Sequence, residues 1–192
     1  LHQVRNDWNN TIYPSLPGHE IVGCVTAVGS DVTKFKVGDM AAVGCIVDSC
    51  MKCEPCCEGQ EQYCSHLPTM TYNGKDRRDD SPTYGGYSDH VVVRDLFVLK
   101  LPDGLDPERA APLLCAGITT WSPLRRWRVG PGSRVAVAGL GGLGHMGVKL
   151  AAGLGAEVTV LTASPSKEKD ALALGAHKVL ITKDRPAMKQ AA

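Results

Sequence analysis

Four cysteines with regular spacing lie in one short segment of the chain. Two residues separate the first from the second and the second from the third, and seven separate the third from the fourth. Four thiolates in one loop can surround a tetrahedral zinc ion and leave no position for water. The residues between them are mostly polar or small, so the segment cannot bury a core and a metal would stabilise it. An iron–sulfur cluster is the chemical alternative. The four residues are Cys50, Cys53, Cys56 and Cys64.

Two further residues are candidate metal ligands outside that cluster. His19 precedes Glu20 at the start of a predicted strand, and Cys115 follows a predicted helical stretch. A solvated loop histidine and an inert buried thiol are the respective alternatives. We interpret Cys45 and Cys57 as bystanders of the cysteine cluster. Cys24 is interpreted as a small apolar residue in a strand.

A glycine-rich stretch indicates a dinucleotide-binding site. A short apolar strand around Val135 and Val137 precedes it, and we expect that strand to be buried on both faces. A helix over residues 145–154 and a strand over residues 158–161 follow, which is the context that G-x-G-x-x-G requires. A glycine-rich turn of another α/β unit is the alternative. The predicted cofactor-binding residues are Gly139, Leu140, Gly141, Gly142, Leu143 and Gly144.

The end of the second strand favours NADP over NAD. An NAD site of this kind usually carries an acidic residue there, which bonds the ribose hydroxyls. This sequence has Thr162, Ala163 and Ser164 instead, with Lys167 just beyond. Two hydroxyls and an ammonium group are suited to hold a 2′-phosphate. The alternative for Lys167 is a solvated lysine at the start of the next helix.

The remaining pattern predicts short strands and turns before the glycine-rich stretch and α/β structure after it. We expect strands over residues 21–28, 40–43 and 90–99, and a helix capped by Asp106 that leads through residues 110–114. A further strand is expected at Val179 and a last helical stretch near Met188. This order predicts a β domain followed by an α/β domain.

Composition excludes several function classes. The chain has 21 Lys and Arg against 20 Asp and Glu, so no basic face suggests nucleic acid. No apolar run has the length of a membrane span, and no targeting segment opens the sequence. The clustered cysteines beside a cofactor motif favour a reducing compartment, and we predict a cytoplasmic protein.

The sequence resembles the zinc-dependent medium-chain alcohol dehydrogenases, and within them the cinnamyl alcohol dehydrogenase branch. The resemblance rests on segments that occur in family order over nearly the whole chain: residues 18–20, the four spaced cysteines, and residues 85–87, 115–119, 139–144 and 164–167. It implies a GroES-like catalytic domain over residues 1–114, with a zinc lobe at about 45–66, and part of a Rossmann cofactor domain over residues 115–192.

The resemblance also implies roles for individual residues. His19 and Cys115 would bind a catalytic zinc ion with Glu20 close to the metal, and the four spaced cysteines would bind a structural one. His2 matches the histidine that relays the alcohol proton to solvent. Thr119 is expected near the nicotinamide, and Trp8 in the substrate pocket. A homodimer is expected for a complete protein.

Two departures from the family pattern matter. Family members carry a third catalytic zinc ligand, a cysteine, just before the point where this sequence begins, so Glu20 would be an imperfect third ligand here. The second half of the Rossmann fold is also absent, and we expect the sequence to be part of a longer polypeptide.

The predicted function is reversible hydride transfer between NADP(H) and a primary alcohol or aldehyde, possible substrates being aromatic or allylic. Two alternatives stay open. One is a quinone-reductase-like oxidoreductase without catalytic zinc, and the other is a non-catalytic, zinc-stabilised nucleotide-binding module.

Overall fold

The computed structural model describes residues 1–191, which form two compact units. The first unit ends at Cys115 and the second begins at Ala116, one residue after the boundary expected from the sequence. In the part of the chain described, none of the helices combines the length and the apolar character that a membrane span requires.

The first unit consists of short strands joined by long irregular segments. Its helices and strands are β1 (Ile21–Cys24), β2 (Met40–Val43), β3 (Ile46–Asp48), α1 (Glu54–Cys57), β4 (Thr69–Met70), β5 (Val98–Lys100) and α2 (Pro107–Ala110), with 3-10 turns at Glu61–Tyr63, Asp95–Phe97 and Ala111–Leu114. Strands β1, β2 and β5 form an antiparallel sheet in the order β1-β2-β5, and β3 pairs with β4.

Two predicted strands are shorter in the structure than the sequence suggested. Strand β1 ends at Cys24, although Val25 still donates from its backbone N–H to the carbonyl of Asp39 at 2.9 Å. The strand expected over residues 90–99 is wrong for residues 90–97, because β5 begins only at Val98 and a 3-10 turn at Asp95–Phe97 precedes it. Residues 91–94 have no strand partner among the described residues.

The predicted helix start at Asp106 is confirmed. The side chain of Asp106 accepts a hydrogen bond from the backbone N–H of Glu108 at 3.0 Å, and Pro107 occupies the first helical position. This arrangement satisfies a free donor at the helix start and places proline where no N–H is needed. A 3-10 turn that ends at Leu114 continues this helix, and Cys115 follows it directly.

The second unit alternates helices with parallel strands. Its elements are α3 (Ala116–Arg126), β6 (Arg134–Ala138), α4 (Gly142–Gly153), β7 (Glu157–Thr162), α5 (Glu168–Ala173), β8 (Lys178–Ile181) and α6 (Arg185–Ala191), with a 3-10 turn at Pro165–Lys167. The sheet order is β6-β7-β8, and both strand pairs are parallel. The predicted strand–glycine turn–helix–strand order is confirmed, and the helix begins at Gly142 rather than at residue 145.

One face of this sheet is packed and the other is open. Val158 and Val160 of β7 are fully buried against Val148 and Ala151 of α4. Burial of β6 on both faces is wrong, because Ala136 is exposed while Val135 and Val137 are half-buried. The described helices therefore cover β6 on one side only, and the strand alternates like that of a half-buried sheet.

Candidate metal and cofactor sites

The four spaced cysteines form a compact group of sulfur atoms. All four Sγ atoms lie within 4.8 Å of one another. The Sγ–Sγ distances are 3.4 Å for Cys53–Cys56, 3.9 Å for Cys50–Cys56 and 4.0 Å for Cys53–Cys64. A tetrahedral ion with Zn–S bonds of about 2.3 Å requires sulfurs about 3.8 Å apart. The donor set and its spacing therefore fit a structural zinc ion.

Local structure explains which cysteines face the centre of this group. The lobe is the connection between β3 and β4, and α1 begins directly after Cys53 with Pro55 in its first turn. Cys56 lies on that helix and is buried, whereas the next residue, Cys57, is exposed. Adjacent helical residues are rotated by about 100°, so only one of the two can face the centre. The structure leaves Cys57 outside the group.

Backbone N–H groups point at the sulfurs, and at Cys53 they favour the charged form. Ser65 donates to the Sγ of Cys53 at 3.4 Å, and Cys53 donates to the Sγ of Cys50 at 3.4 Å. The N–H of Ser65, followed by that of Cys56, lowers the pKa of Cys53 to about 6. A thiolate is the form of cysteine that binds a metal.

A second donor group lies in the same unit and consists of His19, Cys45 and Cys115. One ligand atom from each of the three lies within 4.8 Å of the other two, and all three residues are half-buried. One imidazole and two thiols form the Cys2His donor set of a catalytic zinc site that keeps an open position. The chemistry of this donor set therefore fits a catalytic zinc ion.

Strand register brings His19 and Cys45 together. Strands β1 and β2 are antiparallel, and Ile21 is paired with Val43. His19 lies two residues before Ile21 and Cys45 lies two residues after Val43, so this pairing brings both residues to the same end of the two strands. The pairing of these strands therefore determines the meeting of two residues that are far apart in sequence.

Close packing of the 3-10 turn at Ala111–Leu114 positions the third donor, Cys115. The thiol of Cys45 approaches the carbonyl oxygen of Leu114 at 3.9 Å. A Cβ atom at Gly44 would lie 3.2 Å from the same oxygen, which is tighter than most contacts of real side chains. Glycine at position 44 thus permits the approach that places Cys115 beside Cys45.

The composition of this group corrects one expectation. Cys45 is not a bystander, because its thiol is one of the three clustered donors. Glu20 is exposed and is not one of the three donors, and its place close to the metal stays a prediction. Burial, followed by the neighbouring Cys115 and then Glu20, raises the pKa of Cys45 to about 11. Without a metal, Cys45 is therefore a neutral thiol at neutral pH.

Tyr72 is a further neighbour of the three donors that the sequence did not indicate. Its ring stacks on the imidazole of His19, with 5.6 Å between the ring centroids and 20° between the planes. Burial raises the pKa of Tyr72, and the thiols of Cys45 and Cys115 raise it further. No spacing pattern links Tyr72 to His19, so only the fold reveals this contact.

The glycine-rich loop has the geometry of a phosphate cradle. Gly139 has φ +86°, and its N–H donates to the carbonyl of Leu161 at 2.8 Å. A side chain at Gly144 would collide with the carbonyl oxygen of Gly139. A Cβ at Gly141 or Gly142 would meet nothing within 4 Å, so the loop surface is open to a ligand. Helix α4 starts there and directs its free N–H groups toward this surface.

Lys167 is held against that loop. Its Nζ donates to the carbonyl oxygen of Leu140 at 2.7 Å. The hydroxyl of Thr162 is buried and accepts a hydrogen bond from the N–H of Ser164 at 3.2 Å. The structure thus places Lys167, Ser164 and the glycine-rich loop at one end of the sheet. The Thr162 hydroxyl is used in the hydrogen bond with the Ser164 backbone.

The other predicted site residues lie outside both donor groups. The Nδ1 atom of His2 is 2.8 Å from a carboxylate oxygen of Asp7, and the His2 ring lies 5.4 Å from the ring of Trp8. Trp8 is 60% exposed. Thr119 lies on α3 with an exposed side chain. The structure therefore forms a small His2–Asp7–Trp8 cluster and does not join it to the metal donors.

Comparison with known proteins assigns the family. Residues 1–103 match the model of the alcohol dehydrogenase GroES-like domain, which is more than half of the chain. The chain therefore belongs to the family defined by the alcohol dehydrogenase GroES-like domain. The fold class predicted from the sequence, a GroES-like domain followed by part of a Rossmann domain, is confirmed.

Individual relatives agree with this assignment. The chain is 56% identical to an NADP-dependent alcohol dehydrogenase C of Mycolicibacterium smegmatis, over 96% of this chain and 53% of that protein. It superposes on a cinnamyl alcohol dehydrogenase of Sorghum bicolor with a TM-score of 0.96 and 48% identity, over 100% of this chain and 55% of that one. The cinnamyl alcohol dehydrogenase of Helicobacter pylori, solved with NADP(H), gives a TM-score of 0.91 at 45% identity, over 96% of this chain and 53% of that one.

The chain spans about half the length of the curated relatives it matches.

Proposed function

We propose that the protein carrying this chain is a zinc-dependent alcohol dehydrogenase that interconverts primary alcohols and aldehydes with NADP(H), with aromatic or allylic compounds as the substrate class. The group of His19, Cys45 and Cys115 is the observation that carries the proposal, because it offers a second metal site in addition to the four cysteines. The cofactor named for the relatives from M. smegmatis and H. pylori supports the same choice.

His19 and Cys115 are the proposed ligands of the catalytic metal, and the sulfur of Cys45 is the third donor atom at the same point. A zinc ion held there would supply Lewis-acid stabilisation of the charge that develops on the substrate oxygen. The chain itself contributes an anchored ring at Tyr72 beside His19 and a partly buried setting for both thiols. A partly buried setting strengthens electrostatic interactions with that oxygen because fewer waters screen them.

His2 is proposed to exchange the alcohol proton with solvent. Its Nδ1 atom faces the carboxylate of Asp7 at 2.8 Å, which favours the tautomer whose Nδ1–H donates and whose Nε2 accepts. The His2 side chain is 69% exposed, so solvent reaches the ring directly. Histidine changes its protonation near neutral pH and is suited to pass one proton in either direction.

Replacing His2 with Gln is expected to slow alcohol oxidation most at low pH. Hydroxide can take the proton directly at high pH, and the relay matters most where hydroxide is scarce. The measurement is the pH–rate profile of kcat for alcohol oxidation. The matched control is His90→Gln, since His90 is also an exposed histidine of the first unit. A His2→Gln profile parallel to that of the parent protein removes His2 from the mechanism.

The glycine-rich loop and Lys167 are the proposed cofactor-binding elements of this chain. The loop would receive the pyrophosphate on its open backbone, at the N-terminus of α4. The Lys167 ammonium group would hold the 2′-phosphate, with Ser164 beside it. Because an ammonium has three donors, Lys167 can keep its bond to Leu140 while it binds a phosphate oxygen. Thr119 on α3 is proposed to lie near the nicotinamide, and Trp8 to line the substrate pocket.

Replacing Lys167 with Ala is expected to weaken NADPH binding much more than NADH binding. A lost charge-assisted hydrogen bond costs about 1.5–3 kcal/mol, which corresponds to roughly 10- to 100-fold in Kd. The measurement is the dissociation constant of each cofactor by fluorescence titration. Lys169→Ala is the matched control, since Lys169 is an exposed lysine on α5. Equal losses for the two cofactors would refute the assignment of Lys167 to the 2′-phosphate.

A turnover assay tests the proposed function as a whole. The purified protein is mixed with a benzylic aldehyde and either NADPH or NADH, before and after treatment with a zinc chelator. We expect aldehyde reduction with NADPH, little with NADH, and loss of the rate after chelation. Turnover that survives chelation would favour a zinc-independent oxidoreductase, and no turnover would favour a non-catalytic nucleotide-binding protein.

We also propose that the whole protein is a cytoplasmic homodimer. All eight cysteines are free thiols, as expected in a reducing compartment. The domain roles follow the same proposal: the first unit acts as the catalytic domain and the second as part of the cofactor domain. Sedimentation equilibrium of the purified protein tests the dimer, and a mass of one chain would contradict it.

A further inference from the structure

Metal-bound histidines usually have a second partner. Their other ring N–H donates to a carboxylate, a carbonyl or water, and this bond fixes the orientation of the ring. The His19 ring is half-buried. The contact that the structure does give this imidazole is the stack with Tyr72, at 5.6 Å and 20°.

Hydrogen bonds of the residues before and after Tyr72 hold its backbone in place. The backbone N–H of Thr71 donates to the carbonyl of Cys45 at 3.0 Å, and the Thr71 hydroxyl donates to the carbonyl of Gly44. These bonds tie the segment of Tyr72 to the turn that carries one of the metal donors. Thr71 is buried, with 3% of its surface exposed.

The residue after Tyr72 is anchored in the same way. The side-chain oxygen of Asn73 accepts from the backbone N–H of Ile12 at 2.8 Å, and its amide nitrogen donates to the carbonyl of Asn10 at 3.1 Å. The Asn73 backbone N–H donates to the carbonyl of Thr83 at 3.2 Å. The backbone on both sides of Tyr72 is therefore fixed, and the Tyr72 ring stacks on the imidazole from this fixed position.

We propose that Tyr72 is a positioning residue of the metal centre: its stacked ring sets the plane of the His19 imidazole and thereby directs one ring nitrogen toward the point shared with Cys45 and Cys115. The stack constrains the orientation of the ring, as hydrogen bonds do for other metal-bound histidines. The aromatic face, rather than the hydroxyl, performs this role. The inference rests on the proposed function, since it concerns the same metal centre.

The test compares Tyr72→Leu with Tyr72→Phe in the purified protein. The catalytic zinc is exchanged for Co²⁺, and two quantities are measured: the visible absorption bands of the cobalt and the rate at which zinc leaves this centre. We expect Tyr72→Leu to shift the bands and to speed zinc loss roughly 10-fold or more, in line with other residues that orient metal ligands. Tyr72→Phe keeps the stack and should match the parent protein.

Tyr84→Leu serves as the control for removing a tyrosine, because Tyr84 is 43% exposed and lies outside the donor group. Unchanged cobalt bands and zinc release in Tyr72→Leu would overturn the proposal. Equal damage in Tyr72→Phe and Tyr72→Leu would also overturn it, since the hydroxyl would then be responsible. Loss of the zinc of the four cysteines in Tyr72→Leu would show a general folding role and would overturn it as well. A parent protein that binds no second metal would instead refute the proposed function.

Discussion

Replacing Cys115 with Ser is expected to remove the catalytic zinc ion and to slow aldehyde reduction by roughly 10³-fold or more. A bound metal contributes several kcal/mol to stabilising charge in the transition state, and about 4 kcal/mol corresponds to 10³-fold in rate. Cys115 ends the first unit and is one of the three clustered donors, so its loss leaves two of the three. The measurements are zinc per chain by atomic emission and the rate of NADPH oxidation with a benzylic aldehyde.

The matched control for this variant is Cys24→Ser. Cys24 is an exposed thiol on β1 and belongs to neither donor group. We expect Cys24→Ser to keep the zinc content and the rate of the parent protein. A Cys115→Ser variant that keeps its full zinc content and its rate would exclude Cys115 from the metal centre.

Replacing Cys56 with Ser is expected to release the structural zinc ion and to unfold the segment between β3 and β4. Structural zinc stabilises small domains by about 10–16 kcal/mol, whereas the lobe buries few apolar side chains of its own. Cys56 is 5% exposed and its sulfur lies 3.4 Å and 3.9 Å from those of Cys53 and Cys50. The measurements are zinc content and hydrogen exchange of the backbone amides of residues 46–70.

The matched control for Cys56→Ser is Cys57→Ser, because Cys57 is the next residue in the chain. Cys57 is exposed on the same helix and lies outside the sulfur group, so we expect it to retain zinc and slow exchange. The account of the lobe fails if Cys56→Ser keeps slow exchange in this segment, or if Cys57→Ser loses as much zinc.

The cysteine lobe and the glycine-rich loop could be predicted because their chemistry is local. Four sulfurs from one short segment must lie close together, and their spacing alone restricts the metals they can bind. The turn at Gly139 and the close contact at Gly144 likewise follow from neighbouring residues. In both cases the constraint acts within one supersecondary unit, so the prediction required little knowledge of the rest of the fold.

The second donor group could be predicted only in part because it depends on strand register. Cys45 carries no spacing signal toward His19 or Cys115, and the antiparallel pairing of β1 with β2 brings it close to His19. The adjacency of Glu20 to His19 in sequence suggested a shared metal, but Glu20 is exposed and is not one of the three donors.

The strand expected over residues 90–99 failed for a related reason. Val91, Val92 and Val93 have strong strand propensity, but propensity alone does not supply a partner. The described sheet places β5 beside β2, and Val92 is left 97% exposed. Pairing over a distance, which a single sequence does not reveal, decides whether such a run becomes a strand.

The number of zinc ions bound per chain tests the central claim most directly. The purified protein is dialysed against metal-free buffer, and zinc and protein are then quantified on the same sample. Two donor groups, one of four cysteines and one of His19, Cys45 and Cys115, predict two zinc ions per chain. A single zinc ion that is lost on replacing Cys56, with none lost on replacing Cys115, would contradict the catalytic metal centre and with it the proposed alcohol dehydrogenase.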